Sequence, residues 1–94
     1  MTRSEVIRFL KENKEFFKKN YKVNRIGLFG SYARNENTED SDIDIIVDMP
    51  SSFDSFFELK EYLENGLKAK IDLGLEDTLR QLIREKIRNE IIYV

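Results

Sequence analysis

The stretch GLFGSYARNENTEDSDIDIIVD, residues 27–48, interrupts apolar sequence with a turn and then with acidic residues. One apolar run ends at Gly30-Ser31, a polar loop follows, and a second apolar run carries Asp42 and Asp44. An acidic side chain in a hydrophobic strand is costly to bury unless a partner compensates its charge. The stretch therefore predicts two strands joined by a turn and a loop, with a charged partner for the acidic residues.

The composition is typical of a small globular protein. The chain has 94 residues, of which 40% are hydrophobic and 36% charged, and its formal net charge is -2. The length predicts a single domain over residues 1–94. The net charge predicts that this domain lacks an overall basic surface that would attract nucleic acid. Since no apolar stretch approaches the roughly 20 residues of a membrane span and no signal segment is evident, we expect a cytoplasmic protein.

Cysteine and histidine are both absent from the sequence. Their absence excludes a thiolate nucleophile, a Ser-His pair and a structural zinc site of the usual kind. Acid–base and metal chemistry would then depend on carboxylates, which favour hard cations such as Mg²⁺.

Hydrophobic periodicity predicts alternating helices and strands, in the order α-β-α-β-α-β-α-β. A capping box at Thr2–Glu5 begins one helix that would end near Asn20. Apolar runs predict strands at residues 23–29, 43–49, 68–75 and 91–94. The expected fold class is α+β with α/β-like character, a small mixed sheet flanked by helices.

Turn residues set the remaining helix boundaries. Ser31–Arg34 would form a short helical turn, and Ser51 or Ser52 would cap a long helix. Asn65-Gly66 predicts the end of that helix in a left-handed cap, and Asp77 or Thr78 would open the next one.

Asp42 and Asp44 form the first candidate site. Residues two apart in a strand project to the same face, so these carboxylates would stand side by side. Two adjacent carboxylates repel unless a proton or a cation lies between them, and a divalent metal would resolve the conflict. The alternative is that both are solvated at a strand edge. A calcium loop is excluded because, with Asp40 as the first position of the loop, the sixth and twelfth positions hold Ile45 and Ser51.

Gly30-Ser31 is the second candidate site. Glycine allows a sharp turn and a close backbone approach, and free N–H groups at the following helical turn could bind an anion. The Ser31 hydroxyl could add a donor, and Arg34 could reach the same anion as a planar fork. The alternative is an ordinary strand-to-helix turn with Ser31 as the N-cap.

Asp72 interrupts the third apolar run between Ile71 and Leu73. It would face the opposite side of its strand from these two residues. If this strand lies beside the second, Asp72 can approach Asp42 and Asp44 and complete a two-metal site for phosphoryl transfer. The alternative is an outward polar residue on an amphipathic strand.

The central motif resembles that of the DNA polymerase beta-type nucleotidyltransferase superfamily: Phe29-Gly30-Ser31, a ten-residue spacer, and Asp42-Ile43-Asp44-Ile45. The string GSYAR…SDIDIIVD is similar to that of the minimal nucleotidyltransferases, which are comparably short. The resemblance covers nearly the whole chain, and Asp72 falls where that family places its third carboxylate.

The resemblance implies a nucleotidyltransferase fold and a complete assignment of the site. Asp42, Asp44 and Asp72 would be catalytic and would hold two Mg²⁺ ions. Gly30 and Ser31 would bind the triphosphate of ATP, with Arg34 assisting. Family members are commonly antitoxins paired with a HEPN-type ribonuclease toxin, and some transfer AMP from ATP to a tyrosine of that toxin.

Three readings of the function follow from the motif and the short chain. The first is an antitoxin that adenylylates its partner protein. The second is a non-catalytic antitoxin that neutralises its toxin by complex formation, and the third is a small-molecule or nucleic-acid nucleotidyltransferase. The aromatic residues of the second long helix could form a partner surface or simply fill the core: Phe53, Phe56, Phe57 and Tyr62.

Overall fold

The computed structural model describes all residues from Met1 to Val94. Its centre is a four-stranded sheet in the order β3-β2-β1-β4. The strands are β1 (Arg25–Phe29), β2 (Ile43–Asp48), β3 (Ile71–Leu75) and β4 (Ile92–Tyr93). Strand β1 pairs antiparallel with β2 and β4, whereas β2 and β3 are parallel. This mixed sheet with flanking helices confirms the predicted fold class.

The main hydrophobic core lies between one face of the sheet and the longer helices. The helices are α1 (Arg3–Glu12), α2 (Lys14–Tyr21), α3 (Gly30–Ala33), α4 (Phe53–Leu67) and α5 (Arg80–Leu82). A cluster of 17 buried residues joins alternate strand positions to α1, α2 and α4. Ile45 at the centre of β2 is fully buried in that cluster, as expected for every second residue of a half-buried strand.

The opposite face of the sheet carries the acidic residues and two glycines. Phe29, Asp44 and Asp72 are aligned across β1, β2 and β3. In the next set of paired residues on this face, Gly27 of β1 and Gly74 of β3 lie on either side of the fully buried Ile46 of β2. A Cβ on Gly74 would lie 2.5 Å from Leu79 Cδ1, and one on Gly27 would lie 2.9 Å from Ile91 Cγ2. The missing side chains let the C-terminal segment lie against this face.

The predicted single N-terminal helix is wrong, because the chain forms two helices that meet at Asn13. The Thr2–Glu5 capping box is present, with Glu5 N–H donating to Thr2 Oγ1 at 3.2 Å. The Asn13 side chain donates to the Phe9 carbonyl at 2.8 Å, which satisfies a terminal carbonyl of α1. Helix α2 ends at Tyr21, and Lys22 follows in the left-handed region with φ 57°.

The left-handed cap predicted at Asn65-Gly66 is also wrong. Helix α4 continues to Leu67, and Lys68 takes the left-handed conformation with φ 52°. Gly66 stays helical, and a Cβ there would lie 2.3 Å from Phe9 Cζ. Gly66 therefore allows the close approach of α1 to α4 and does not end the helix.

The last helical region begins later than predicted and is irregular. Residues 76–79 form a turn, in which Leu79 N–H donates to the Leu75 carbonyl at 3.1 Å. Helix α5 starts at Arg80 and leads into a π-helical segment, Ile83–Ile87, whose last residue is buried. No helix of the structure is both long enough and apolar enough to cross a membrane.

Candidate active site

The chain turns from β1 into α3 at Gly30, the first residue of that helix. Gly30 is buried and has φ +73°, a conformation that residues with a side chain rarely adopt. A Cβ at this position would lie 2.1 Å from Asp44 Oδ2. Both the backbone conformation and the close contact require glycine, so the turn is held directly against the acidic residue of β2.

Asp44 and Asp72 are register partners on the parallel strands β2 and β3. The structure thus brings together two of the three predicted carboxylates, from two different strands. Burial raises the pKa of Asp44 to about 6, with further contributions from the charge of Asp72, a hydrogen bond to Asp72 and the charge of Asp42. Arg34 acts in the opposite direction and lowers this pKa. Two neighbouring carboxyl groups favour a proton on one of them, and a divalent cation can take the place of that proton.

Asp42 is the third predicted carboxylate, and its charge is one of those that raise the pKa of Asp44. It precedes β2 and is half-buried at the edge of a cleft of about 680 Å³, which it lines together with Tyr32, Lys68 and Lys70. No group of three acidic side chains in the structure is close enough to share a metal ion. The convergence of Asp42 with the other two carboxylates therefore stays a prediction.

Arg34 lies at the end of α3 and contacts two acidic side chains. Its Nη1 donates to both carboxylate oxygens of Glu90, at 3.2 and 3.1 Å, and its Nε lies 3.5 Å from Glu36 Oε2. The hydrogen bond to Glu90 is the main reason that the pKa of Arg34 is raised. Ser31 is half-buried in the same helical turn.

Glu90 also reaches the glycine turn. It accepts a hydrogen bond from Gly30 N–H at 3.2 Å, through the oxygen that Arg34 also contacts. Sequence reasoning missed this residue, because an acidic side chain in the charged string REKIRNE resembles an ordinary solvated helix face. Nothing in the local sequence pairs it with a turn 60 residues earlier.

Asp72 borders an apolar groove beside the Asp44–Asp72 pair. The groove has a volume of about 400 Å³ and is formed by the end of β1, the middle of β3 and the segment that follows β3. Its apolar walls include Phe29, Phe56, Leu79 and Leu82. One carboxylate therefore faces a groove that is otherwise mainly hydrophobic.

The aromatic residues of α4 divide between the core and the surface. Phe53 is 77% exposed and Phe57 46% exposed, and their ring centroids are 4.7 Å apart. Phe56 and Tyr62 pack against the core, and the Tyr62 hydroxyl donates to Asn13 Oδ1 at 2.7 Å. The core-filling interpretation thus holds for Phe56 and Tyr62, whereas a partner surface at Phe53 and Phe57 stays a prediction.

A glycine turn held against a carboxylate pair, on one face of a mixed sheet, is the arrangement expected of a nucleotidyltransferase. Residues 10–94 match the family model described as "Nucleotidyltransferase domain", and the chain belongs to that family. It is therefore an enzyme of the nucleotidyl-transferring class, and the resemblance found in the motif is confirmed.

Relatives of similar length carry more specific names. A Methanocaldococcus jannaschii protein named "Putative protein adenylyltransferase" is 44% identical over 96 residues, which span 99% of this chain and 98% of the relative. The protein adenylyltransferase MntA of Thermococcus cleftensis is 38% identical over 96 residues, spanning 100% of this chain and 97% of the relative.

Solved structures agree with the family assignment. The structure named "Structure of putative minimal nucleotidyltransferase" aligns with a TM-score of 0.82 at 28% identity, over 98% of this chain and 95% of that one. A chain of a toxin–antitoxin crystal structure with AMP-PNP aligns with a TM-score of 0.55 at 28% identity. That alignment spans 80% of this chain and 57% of the other.

Proposed function

We propose that this nucleotidyltransferase moves AMP from ATP to a tyrosine hydroxyl of a partner protein in the cytoplasm, and that the partner is a HEPN-type ribonuclease toxin. By this transfer it would act as an antitoxin. The observation that carries the proposal is the Asp44–Asp72 pair held against the Gly30 turn. The names of its relatives support protein adenylylation, and the toxin–antitoxin structure with AMP-PNP supports both a toxin partner and a nucleotide substrate.

The reaction is an in-line displacement at the α-phosphorus of ATP. The acceptor oxygen forms a bond to that phosphorus, the bond to the bridging oxygen breaks, and pyrophosphate leaves. Asp72 is placed to take the hydroxyl proton, since it borders the groove and lies beside Asp44 on the neighbouring strand. The Gly30 turn, Ser31 and Arg34 would hold the triphosphate through N–H, hydroxyl and guanidinium donors.

Two Mg²⁺ ions would be held by Asp42, Asp44 and Asp72. The donor set fits, because carboxylate oxygens are the ligands that Mg²⁺ prefers and a cation would offset the burial and the neighbouring negative charge that raise the pKa of Asp44. When bound, the ions supply positive charge to the triphosphate and to the attacking oxygen. The structure holds no group of three acidic side chains that could share a metal ion, so the joining of Asp42 to Asp44 and Asp72 is part of the proposal.

The groove beside Asp72 supports an aromatic acceptor. Its apolar walls suit a phenol ring, and the carboxylate at its edge suits the hydroxyl of that ring. A volume of about 400 Å³ exceeds that of a single side chain, so a short stretch of the partner would enter with the tyrosine. Such a groove has no evident use for a hydrophilic sugar or a nucleic-acid end.

Neutralisation by binding alone is the second candidate function. The exposed pair Phe53 and Phe57 favours it, because neighbouring aromatic side chains exposed on the surface are typical of protein interfaces. These residues are compatible with the first proposal as well, since a protein substrate must also dock.

The two candidates are separated by removing the antitoxin after the reaction. The toxin is incubated with this protein, ATP and Mg²⁺, the tagged antitoxin is stripped off, and the ribonuclease activity of the toxin is measured. Adenylylation predicts a toxin that stays inactive after wild-type treatment and recovers after treatment with Asp44→Asn. Full recovery in both cases would reject adenylylation in favour of binding.

A further inference from the structure

The carboxylate of Glu90 accepts hydrogen bonds from the backbone and the side chain that flank the predicted phosphate site. Gly30 N–H donates to Oε1 at 3.2 Å, and Arg34 Nη1 donates to Oε1 at 3.2 Å and to Oε2 at 3.1 Å. The side chain of Glu90 is 22% exposed, so it is largely enclosed at the turn. Both of its oxygens are therefore committed to this site.

These donors are the ones that the proposed function assigns to the triphosphate. Carboxylate and phosphate oxygens are both anionic acceptors, and the guanidinium group of arginine binds either one. The single backbone N–H of Gly30 points at Glu90 Oε1 and cannot serve a second anion at full strength. Two negative groups at this distance would also repel each other.

We propose that Glu90 is an internal competitor for the nucleotide site, so that ATP binds by displacing the Glu90 carboxylate from Gly30 and Arg34. The inference rests on the proposed function, because it takes these donors to be the phosphate site. It makes Glu90 the residue that sets the affinity for nucleotide, although it belongs to no part of the catalytic motif.

The displacement is local, because the chain is anchored on both sides of Glu90. Ile87 is buried before it, and Ile92 pairs with Leu28 of β1 after it. The intervening residues 88–91 must therefore carry the change. ATP binding would free them from the turn while the sheet and the core stay as they are.

The test is the dissociation constant for ATP in the presence of Mg²⁺, measured by titration calorimetry on the wild type, Glu90→Gln and Glu36→Gln. Glu36 is the matched control, because it also pairs with Arg34 but makes no hydrogen bond to the Gly30 N–H. We expect Glu90→Gln to bind ATP roughly tenfold more tightly, the size of one lost charge-assisted hydrogen bond. Glu36→Gln should stay within about twofold of the wild type, since its pair is exposed.

The other outcomes each overturn the inference in a recognisable way. An equal gain in ATP affinity in both variants would show that removing either negative charge near Arg34 has the same effect. Weaker binding by Glu90→Gln would show that Glu90 positions Arg34 for the nucleotide instead of competing with it. Unchanged affinity in Glu90→Gln would reject the competition alone, whereas the absence of ATP binding in every protein, the wild type included, would reject the proposed function as well.

A second measurement on the wild type remains informative if Glu90→Gln fails to fold. Backbone hydrogen exchange of residues 88–91 is followed with and without ATP and Mg²⁺. Competition predicts faster exchange in this segment when ATP is bound, because its contact with the turn is lost. Slower exchange would contradict it, since a supporting Glu90 would be held more firmly in the complex.

Discussion

Asp44 and Asp72 are direct partners across the parallel strands β2 and β3, and burial together with the charge of Asp72 raises the pKa of Asp44. The pairing places two acidic groups on one face of the sheet, where the fold alone gains nothing from them. Sites that work against stability in this way are typical of function. Their cost should therefore be measurable in the folded protein itself.

Replacing Asp44 with asparagine should stabilise the metal-free protein at pH 8. The fold raises the pKa of Asp44 from 3.8 to about 6, so the stability that its protonated form provides is complete below pH 3.8 and lost as the pH rises through 6. Because the side chain is half-buried and its charge is partly screened by solvent, we expect a gain of only about 1 kcal/mol for Asp44→Asn. The gain should shrink towards zero near pH 4.

Urea denaturation at pH 4 and pH 8 in the presence of a chelator checks this expectation. Asp40→Asn is the control, since Asp40 is exposed in the loop before β2. A variant Asp44→Asn that is no more stable than the wild type at pH 8 would show that the pair carries no electrostatic cost.

Gly30→Ala should destabilise the protein by about 2 kcal/mol or more. An alanine at φ +73° costs about 1–2 kcal/mol from the backbone conformation, and its Cβ would also contact Asp44 Oδ2. In a double-mutant cycle with Asp44→Ala, part of this cost should disappear because the contacting carboxylate is gone. The same cost in both backgrounds would mean that the turn and Asp44 are independent.

The strands and the motif could be predicted from the sequence because each has a local signal. Alternating apolar residues predicted β2 at residues 43–49, and the strand is Ile43–Asp48. The interruption at Asp72 predicted an outward-facing residue, and Asp72 is exposed between buried Ile71 and Leu73. Period-two alternation is a property of neighbouring residues, so no tertiary knowledge is needed to detect it.

The errors arose where tertiary contacts decide the outcome. Gly66 has the local signature of a helix end, but the ring of Phe9 packs against it and the helix continues. Asn13 ends α1 through its own hydrogen bond and that of Tyr62, a residue 49 positions away. Glu90 acquires its role only because the C-terminal segment folds back onto Gly30.

Tyr62→Phe should lower the free energy of unfolding by about 1 kcal/mol. The Tyr62 hydroxyl donates to Asn13 Oδ1 at 2.7 Å, and removing it leaves a half-buried amide oxygen without that bond. Thermal or urea unfolding measures the change, with Tyr21→Phe as a control on a half-buried tyrosine of α2. Equal losses of stability in the two variants would indicate that the hydrogen bond from Tyr62 to Asn13 contributes nothing beyond the general effect of removing a tyrosine hydroxyl.

Leu82→Ala should raise the KM for the protein acceptor roughly tenfold while the KM for ATP stays unchanged. Leu82 lines the groove beside Asp72, whereas none of the proposed phosphate-binding residues Gly30, Ser31 and Arg34 lines it. Leu82→Met, which keeps the volume and the apolar character, is the matched control and should behave like the wild type. A rise in the KM for ATP as large as that for the acceptor would indicate that the groove does not serve the acceptor alone but contributes to nucleotide binding.

The most direct test of the account is transfer of label from α-phosphate-labelled ATP to the toxin partner in the presence of Mg²⁺. The wild type is compared with the double variant Asp42→Asn/Asp44→Asn. We expect label on a tyrosine of the partner with the wild type and none with the variant. Label transfer by the variant, or a stable complex without label in the wild type, would contradict the assignment of these carboxylates to adenylyl transfer.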